Sequence, residues 1–309
     1  MAISMKLKQF LKEKKYYLLI VLAVVLLAAL VTYIGVRLDR GPGGSILPFD
    51  TASQYPMDVA FVNVGQGDGI VIRCEDAAIV IDGGEQTAAA AMKECLKNEN
   101  ITDVDCYIAT HPHSDHIGAI PAVMKAVNVK TFMMTEFSEL NMPTTRNFEQ
   151  MVDAVEDEGC EVLFVRGGEE YTFGKMKLQI LAPLEETNNY NNMSIVVRLV
   201  YGEISFLLTG DAEKDLEAQI LAGGADVDAD VIKLGHHGSS NASSRPFIEA
   251  VSPLIAVISC GADNDYGHPH KETLELMKEL SVRVLRTDTD GTVHVYSDGK
   301  NVFTKELVG

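Results

Sequence analysis

Alternation of apolar and polar positions organises the chain from Met57 onward. DVAFVNVG (58–65), GIVIRC (69–74) and AAIVIDGG (77–84) are β-rich runs bounded by glycine, which predicts three strands joined by tight turns. AAAAMKECLK (88–97) predicts a helix, VDCYIATH (104–111) a strand, and IGAIPAVMKAV (117–127) the start of the next helix. VKTFMM (129–134) reads as a buried strand, and RNFEQMVDAVEDEG (146–159) as a helix that stops at Gly159. CEVLFV, EEYTFG and MKLQILAP return to strands. SIVVRLVYGEISFLLTGD (194–211) predicts a hairpin turning at Tyr201–Gly202, with a helix from Ala212. ADVIKLGHHGS then reads as a strand ending in histidines. RPFIEAV and KETLELMKEL are helices, LIAVISCG and VRVLRT strands, and GTVHVYSDG with NVFTKEL a closing hairpin. The second half varies the first. The expected class is α/β, with two sheets in the middle and helices on both outsides.

The pattern before Met57 is different. Residues 16–36, YYLLIVLAVVLLAALVTYIGV, carry no charge over 21 residues. A helix of that length rises about 30 Å, the thickness of a bilayer core. Tyr16, Tyr17 and Tyr33 lie near its ends, where aromatic rings favour the interface. A signal peptide is the competing reading, but its apolar region is shorter and no small-residue cleavage site follows Val36. Five lysines precede the span and only Arg37 and Arg40 follow closely, so the N-terminus is expected in the cytoplasm and the rest outside the cell. The expected organisation is a basic segment at 1–15, a transmembrane helix at 16–36, a linker at 37–56 and one domain at 57–309.

Charge narrows the partners. The chain has 26 basic and 44 acidic residues, a net charge of −18. Seven of the basic and two of the acidic residues fall in the first forty, which leaves the body 19 against 42, or −23. Such a body repels polyanions at long range. The five cysteines show no ligand-like pairing, and their odd number precludes complete internal pairing. They are expected as small buried apolar residues rather than a disulfide framework.

The chemistry concentrates in the histidines. Seven of eight fall into three clusters, at 111–116, 236–237 and 268–270. In HPHSDH, His111, His113, Asp115 and His116 follow a predicted strand, where a short loop lets four side chains converge. Imidazole and carboxylate suit Zn²⁺, Mn²⁺ or iron. Asp211 leaves the buried run FLLTG and can place one oxygen on each of two metals; it can equally cap the following helix. Only one of His236 and His237 need bind metal. His268 can face the same pocket as a proton donor, or simply precede the helix near Lys271. The glycines of NVGQGDG (63–69) permit a tight turn but lack the lysine of a phosphate loop. Asp82 is expected to orient the histidine loop by hydrogen bonds, and His294 to be structural.

The run FVNVGQGDG, VIDGG, THPHSDHIGA, NNMSIVVRL, FLLTGDAE, VIKLGHHGSSNASS, ISCGADNDYGHPH and RTDTDGTVHV resembles the metallo-β-lactamase superfamily, and within it the ComEC-like domains of competence DNA-uptake proteins. The resemblance covers about Met57 to Gly309. It implies a four-layered αβ/βα sandwich with two divalent metal ions, Zn or Mn. His111 and His113 map to the first metal site, Asp115 and His116 to the second with His236 as the first choice of its pair, and Asp211 to the bridge. The family's third first-site histidine is missing from NNYNNMSIVV, so Asn192 or Ser194 takes its place or the first site is incomplete. The multi-span channel of such proteins is replaced here by one predicted anchor.

The resemblance implies hydrolysis by a metal-bound hydroxide, with Asp115 orienting it and His237 or His268 protonating the leaving group. DNA outside the cell is the first expected substrate, with the acidic body as its main objection. A small phosphodiester, lactam or lactone is the alternative. A non-catalytic module that binds DNA is the reading from another class.

Overall fold

The computed structural model describes residues 47–48, 55–75 and 77–304. The predicted basic segment and membrane span lie outside the described residues. Among the described residues no helix is long and apolar enough to cross a membrane.

The described strands are β1 (Leu47–Pro48), β2 (Met57–Phe61), β3 (Gly69–Cys74), β4 (Ala77–Asp82), β5 (Asp103–Ile108), β6 (Asn128–Met134), β7 (Glu161–Phe164), β8 (Glu170–Phe173), β9 (Met176–Ala182), β10 (Val196–Tyr201), β11 (Ile204–Leu208), β12 (Val231–Lys233), β13 (Ile255–Ile258), β14 (Arg283–Arg286), β15 (Val293–Ser297) and β16 (Val302–Thr304). They form a sheet in the order β1-β16-β15-β2-β3-β4-β5-β6-β7 and a second in the order β14-β13-β12-β11-β10-β9-β8. The main helices are α1 (Ala89–Asn98), α2 (Ser114–Ile117), α3 (Ile120–Met124), α4 (Arg146–Glu158), α5 (Lys214–Ala222), α6 (Arg245–Val251) and α7 (Lys271–Glu279).

Side-chain parity builds the layers. In β2, Val59 and Phe61 enter the core between the sheets, while Ala60 belongs to the helix-covered outer face. In β4, Ile79 and Ile81 point inward and Ala78 and Val80 outward. In β11, Phe206 and Leu208 point inward and Leu207 packs under helices. Successive residues of a strand face opposite sides, so a strand apolar on both faces must be covered on both. Helices α1, α3 and α4 cover one sheet through Met92, Val123 and Phe148, and α5, α6 and α7 cover the other through Ile220, Phe247 and Met277. Three apolar interfaces make four layers, as expected from the sequence.

The central strands β4, β5 and β6 run parallel, as do β11, β12 and β13. Their carboxyl ends are therefore aligned. Two expectations are corrected in detail. The helix expected from Ala212 begins at Lys214, because Asn192 Oδ1 accepts from the Glu213 N–H at 3.0 Å and holds the chain extended there. The helix expected over 117–127 is two short turns, with Gly118 and Ala119 between them. Gly118 passes so close to Gln86 and Ser114 that a Cβ would lie 2.6 Å from the Ser114 carbonyl oxygen. The hairpin turn at Gly202 and the helix stop at Gly159, both with left-handed φ, are as predicted. No disulfide links the five cysteines, and four of them are buried.

Phe206 is fully buried between the sheets. Phe206→Ala is expected to destabilise the fold by about 3–5 kcal/mol through lost transfer energy and a residual cavity. Urea denaturation should show a lower midpoint with unchanged slope; an unshifted midpoint would contradict this packing.

Candidate metal centre

Strands β4, β5, β11 and β12 each lead at their carboxyl ends into a segment that carries side chains of the site. Asp82 ends β4 with φ 56°, which turns its carboxylate under the next loop. Its Oδ1 accepts from the Thr110 N–H at 2.8 Å, and its Oδ2 accepts from Thr110 Oγ1 at 2.6 Å and lies 2.7 Å from His116 Nδ1. Asp82 therefore orients the histidine loop from behind, as expected. His111 follows β5, and His113, Asp115 and His116 lie in or beside α2. Asp211 follows β11 through Gly210, which comes close enough to Ser194 and Thr110 that a Cβ would sit 3.0 Å from Ser194 Oγ. His236 and His237 follow β12 in a tight turn at Gly235–Gly238, both with left-handed φ.

Asp211 is the centre of the arrangement. Its Oδ1 lies 3.3 Å from His116 Nε2, and its Oδ2 lies 3.4 Å from His237 Nε2 and 3.7 Å from His111 Nε2. His111 Nε2 meets His113 Nδ1 at 3.0 Å. Asp115 Oδ2 reaches His237 Nε2 at 3.2 Å. The far nitrogens are fixed: His237 Nδ1 is 3.0 Å from the Ser259 carbonyl, and His116 Nδ1 is held by Asp82. A ring nitrogen bonded to a carbonyl or carboxylate turns the other toward a ligand. The inward atoms, His116 Nε2, His237 Nε2 and Asp211 Oδ1, are buried and have no hydrogen-bond partner. Buried polar atoms without partners are costly, and three that converge define a place for a cation. The donor set of imidazoles and a carboxylate fits a divalent transition metal. His111, His113 and Asp211 form a second group around the same carboxylate.

The electrostatics agree with this shape. Burial pulls the His116 and His237 imidazoles down, but the carboxylates around them, Asp211 foremost, outweigh it and hold both well above the ordinary histidine value. Burial would raise Asp211, yet His237 and His116 hold its carboxyl well below the usual range. His111 goes the other way: burial and its neighbour His116 keep it neutral. Burial, with His237 and His236, brings His268 down to about 4.

Of the pair left open by the sequence, His237 joins the buried cluster. His236 stands aside and partly exposed, with Nδ1 3.2 Å from Glu213 and Nε2 3.9 Å from Asp211. Leaving the strand first does not bring His236 inward, because left-handed backbone at both residues reverses the chain. Ser194 Oγ accepts from the Asp211 N–H at 3.0 Å and lies 3.4 Å from His111 Nδ1, while Asn192 Oδ1 accepts from the Glu213 N–H. Asn191 faces the open cleft instead, with a buried, unpartnered Oδ1. His268 lies beside the pair, 5.5 Å from His236 and stacked on exposed Tyr266 at 5.6 Å between ring centroids. The cleft of about 280 Å³ is lined by His113, Asp115, Asp211, His237, Tyr266 and His268 among others. His294 pairs with Asp58 at 2.9 Å, consistent with a structural role.

Two residues that sequence reasoning missed lie behind the cluster. Asp68, noticed only as part of a glycine-rich turn, is buried against both His116 and His237. Lys233 is buried beside it. The signal for both was available only as a charged residue in an apolar neighbourhood.

A sequence profile of the metallo-beta-lactamase superfamily matches residues 62–262. ComE operon protein 3 of Bacillus subtilis is 30% identical over 255 residues, covering 76% of this chain and 32% of that protein. Competence protein ComA of Neisseria gonorrhoeae is 30% identical over 237 residues, covering 75% and 31%. The chain thus spans about a third of the length of these curated relatives. Among solved structures, the metallo-beta-lactamase fold protein YhfI from Bacillus subtilis superposes with a TM-score of 0.53 at 13% identity, over 77% of this chain and 99% of that one. That likeness speaks for the fold.

The raised imidazoles have a consequence for metal uptake. With His116 and His237 held above their ordinary value, both carry protons at neutral pH that a metal must displace. Zn²⁺ binding at pH 7 is expected to release protons, and apparent affinity to climb with pH. Calorimetry in two buffers of different ionisation heat reads the number directly; binding without proton release would show that the rings are neutral before metal arrives and overturn the raised imidazoles.

Proposed function

We propose that this chain, which belongs to the metallo-β-lactamase superfamily, is a metal-dependent hydrolase that cleaves phosphodiester bonds, with single-stranded DNA outside the cell as its substrate. The observation that carries the metal reading is the convergence of unpartnered His116 Nε2, His237 Nε2 and Asp211 Oδ1. The similarity to a competence protein supports the choice of DNA.

In this reading Asp211, His116 and His237 hold one divalent ion, and His111, His113 and Asp211 a second. Asp115 is shared between the first site and the cleft. Divalent ions bound there polarise phosphoryl oxygens and lower the pKa of water toward neutrality. The remaining chemistry belongs to the chain. Asp115 is partly exposed at the cleft, and burial, which would raise its carboxyl, is outweighed by His116 and His237, so it stays ionised. An ionised carboxylate there accepts a proton from water and aims its lone pair at the substrate. With His237 occupied, His268 is the remaining imidazole beside the leaving group. It is neutral at pH 7 and acts by hydrogen bonding rather than as a cation. Tyr266, stacked on His268 at the mouth, offers a flat face to a base.

A second reading is favoured by a specific observation. No lysine or arginine lines the cleft among the described residues. Basic side chains elsewhere on the surface are paired with glutamates: Arg166 with Glu136, Lys175 with Glu75, Lys177 with Glu170, Lys271 with Glu275 and Arg245 with Glu279. A small phosphodiester needs no cationic track and fits a cleft of about 280 Å³.

Incubation of the full chain with single-stranded DNA in Mn²⁺ or Zn²⁺ separates the readings. Metal-dependent cutting is expected, falling by more than about 100-fold in Asp211→Ala, beyond what outer-sphere residues give. Tyr266→Ala should raise KM with little change in kcat. An intact protein that binds metal but leaves DNA uncut, while cleaving a chromogenic phosphodiester, would transfer the assignment to the small substrate.

The membrane anchor at 16–36 and the outward-facing domain belong to the same proposal, supported by the uncharged run and the lysines before it. The full chain is expected in the membrane pellet after carbonate washing, with its domain cut by protease added to spheroplasts. Release by carbonate would refute the anchor.

A further inference from the structure

Lys233 is a lysine that solvent does not reach. It ends β12 with 0% of its surface exposed. Its Nζ lies 2.7 Å from Asp68 Oδ2 and donates to the carbonyls of Gly210 at 3.0 Å and Leu234 at 3.1 Å. Three acceptors meet three ammonium protons. Gly210 immediately precedes Asp211, and Leu234 opens the turn that carries His237. One ammonium therefore grips the backbone on both approaches to the metal cluster.

Asp68 completes the device from the other sheet. It precedes β3, and its Oδ1 lies 3.5 Å from His237 Nδ1 while its Oδ2 lies 3.9 Å from His116 Nδ1. These are the nitrogens turned away from Asp211, which faces Nε2 of both rings. Asp68 thus stands behind the imidazoles rather than among the atoms that face a metal. The turn that carries it is pressed onto the histidine loop. Asp68 N–H donates to the Asp115 carbonyl at 3.1 Å, and Gly67, at φ 126°, comes so close that a Cβ would lie 2.0 Å from the same oxygen.

We propose that the buried Lys233–Asp68 pair is a positioning device: it ties the two sheets together behind the cluster and sets the spacing of His116, His237 and Asp211, without either residue touching the metal. The proposal rests on the metal reading above. A pair that served stability alone would matter only for folding. A pair that sets spacing must also tune the metal, because outer-shell partners fix the orientation and basicity of the ligating rings.

The test uses the full chain and three variants: Asp68→Asn, Lys233→Met and the combined Asp68→Asn/Lys233→Met. Each single change leaves one buried charge uncompensated, whereas the combined change removes both in similar shapes. Zn²⁺ affinity is measured by competition with a chromophoric chelator, the visible spectrum with Co²⁺, and stability by thermal unfolding. The combined variant is expected to unfold within about 5 °C of the parent, yet to bind Zn²⁺ about 10- to 100-fold more weakly with a changed Co²⁺ spectrum. Asp68→Asn keeps an oxygen for Lys233 and serves alone if the combined variant does not fold; it is expected to weaken Zn²⁺ binding over the same range. Parental affinity and spectrum in a folded variant would overturn the positioning role while leaving the metal site intact. A parent that binds no Zn²⁺ or Co²⁺ would overturn both.

Discussion

Negative charge buried at one place is the constraint on which the rest of the structure depends. Asp68, Asp82 and Asp211 are each no more than 2% exposed. A carboxylate removed from water costs several kcal/mol unless something of opposite sign or a set of donors replaces the hydration. The three are treated differently. Asp82 receives two hydrogen bonds from Thr110 and the contact with His116. Asp68 has the Lys233 ammonium. Asp211 has only titratable partners: its carboxylate faces His116 and His237, which it holds well above the ordinary histidine value, and its Oδ1 has no hydrogen-bond partner. Asp82 and Asp68 have fixed partners within the chain, although Asp68 Oδ1 has no hydrogen-bond partner, whereas Asp211 depends on charge that is added, as protons on the rings or as a bound cation. That difference marks Asp211 as the centre of the candidate metal site.

The fold exists to hold those charges in register. The cluster draws Asp82, His111 and His116 from one sheet and Asp211, Lys233 and His237 from the other. Parallel central strands bring the carboxyl ends of each sheet to a common rim, and the apolar core between the sheets fixes how the two rims face. Short contacts close the remaining freedom. Ile195 N–H donates to the Thr110 carbonyl across the sheets at 3.0 Å, and Ser194 Oγ accepts from the Asp211 N–H. Gly261 N–H donates to Gln66 Oε1, linking the glycine-rich turn to the loop that carries His268. Close backbone approach, rather than phosphate binding, accounts for the glycines at 67 and 210.

Much of this was legible in the sequence, and the failures have physical causes. The layers followed from strands apolar on both faces, and the helix stop at Gly159 from its residue type. The histidine loop of the candidate metal centre was legible because histidines are scarce and these are crowded at a strand end. The choice between His236 and His237 was not, because it turns on two left-handed φ angles at residues with Cβ atoms, which no periodicity signals. Lys233 was invisible for the opposite reason. A lysine at the end of VIK reads as a side chain reaching for water, and only the partner 165 positions earlier makes its burial affordable. Asn191 was passed over for Asn192 because local spacing cannot tell which of two adjacent amides caps a loop and which faces a cleft.

The cleft's own charges bear on what can enter it. A protein that follows a nucleic-acid backbone supplies lysines and arginines along the path, and its affinity falls steeply with salt as counterions return. Here the candidate cations at the surface are already matched to glutamates, and the body carries an excess of acid. In the proposed reading, the positive potential that meets a phosphate comes chiefly from bound metal, at one point and over a short range. Such a site grips a phosphodiester locally and leaves the rest of the substrate to non-ionic contacts, for which the stacked Tyr266–His268 pair is suited. An acidic body with a cationic point at its centre also repels extended duplex more than it repels a single exposed phosphodiester. In that reading, a preference for strand ends, single strands or small esters follows from the charge distribution.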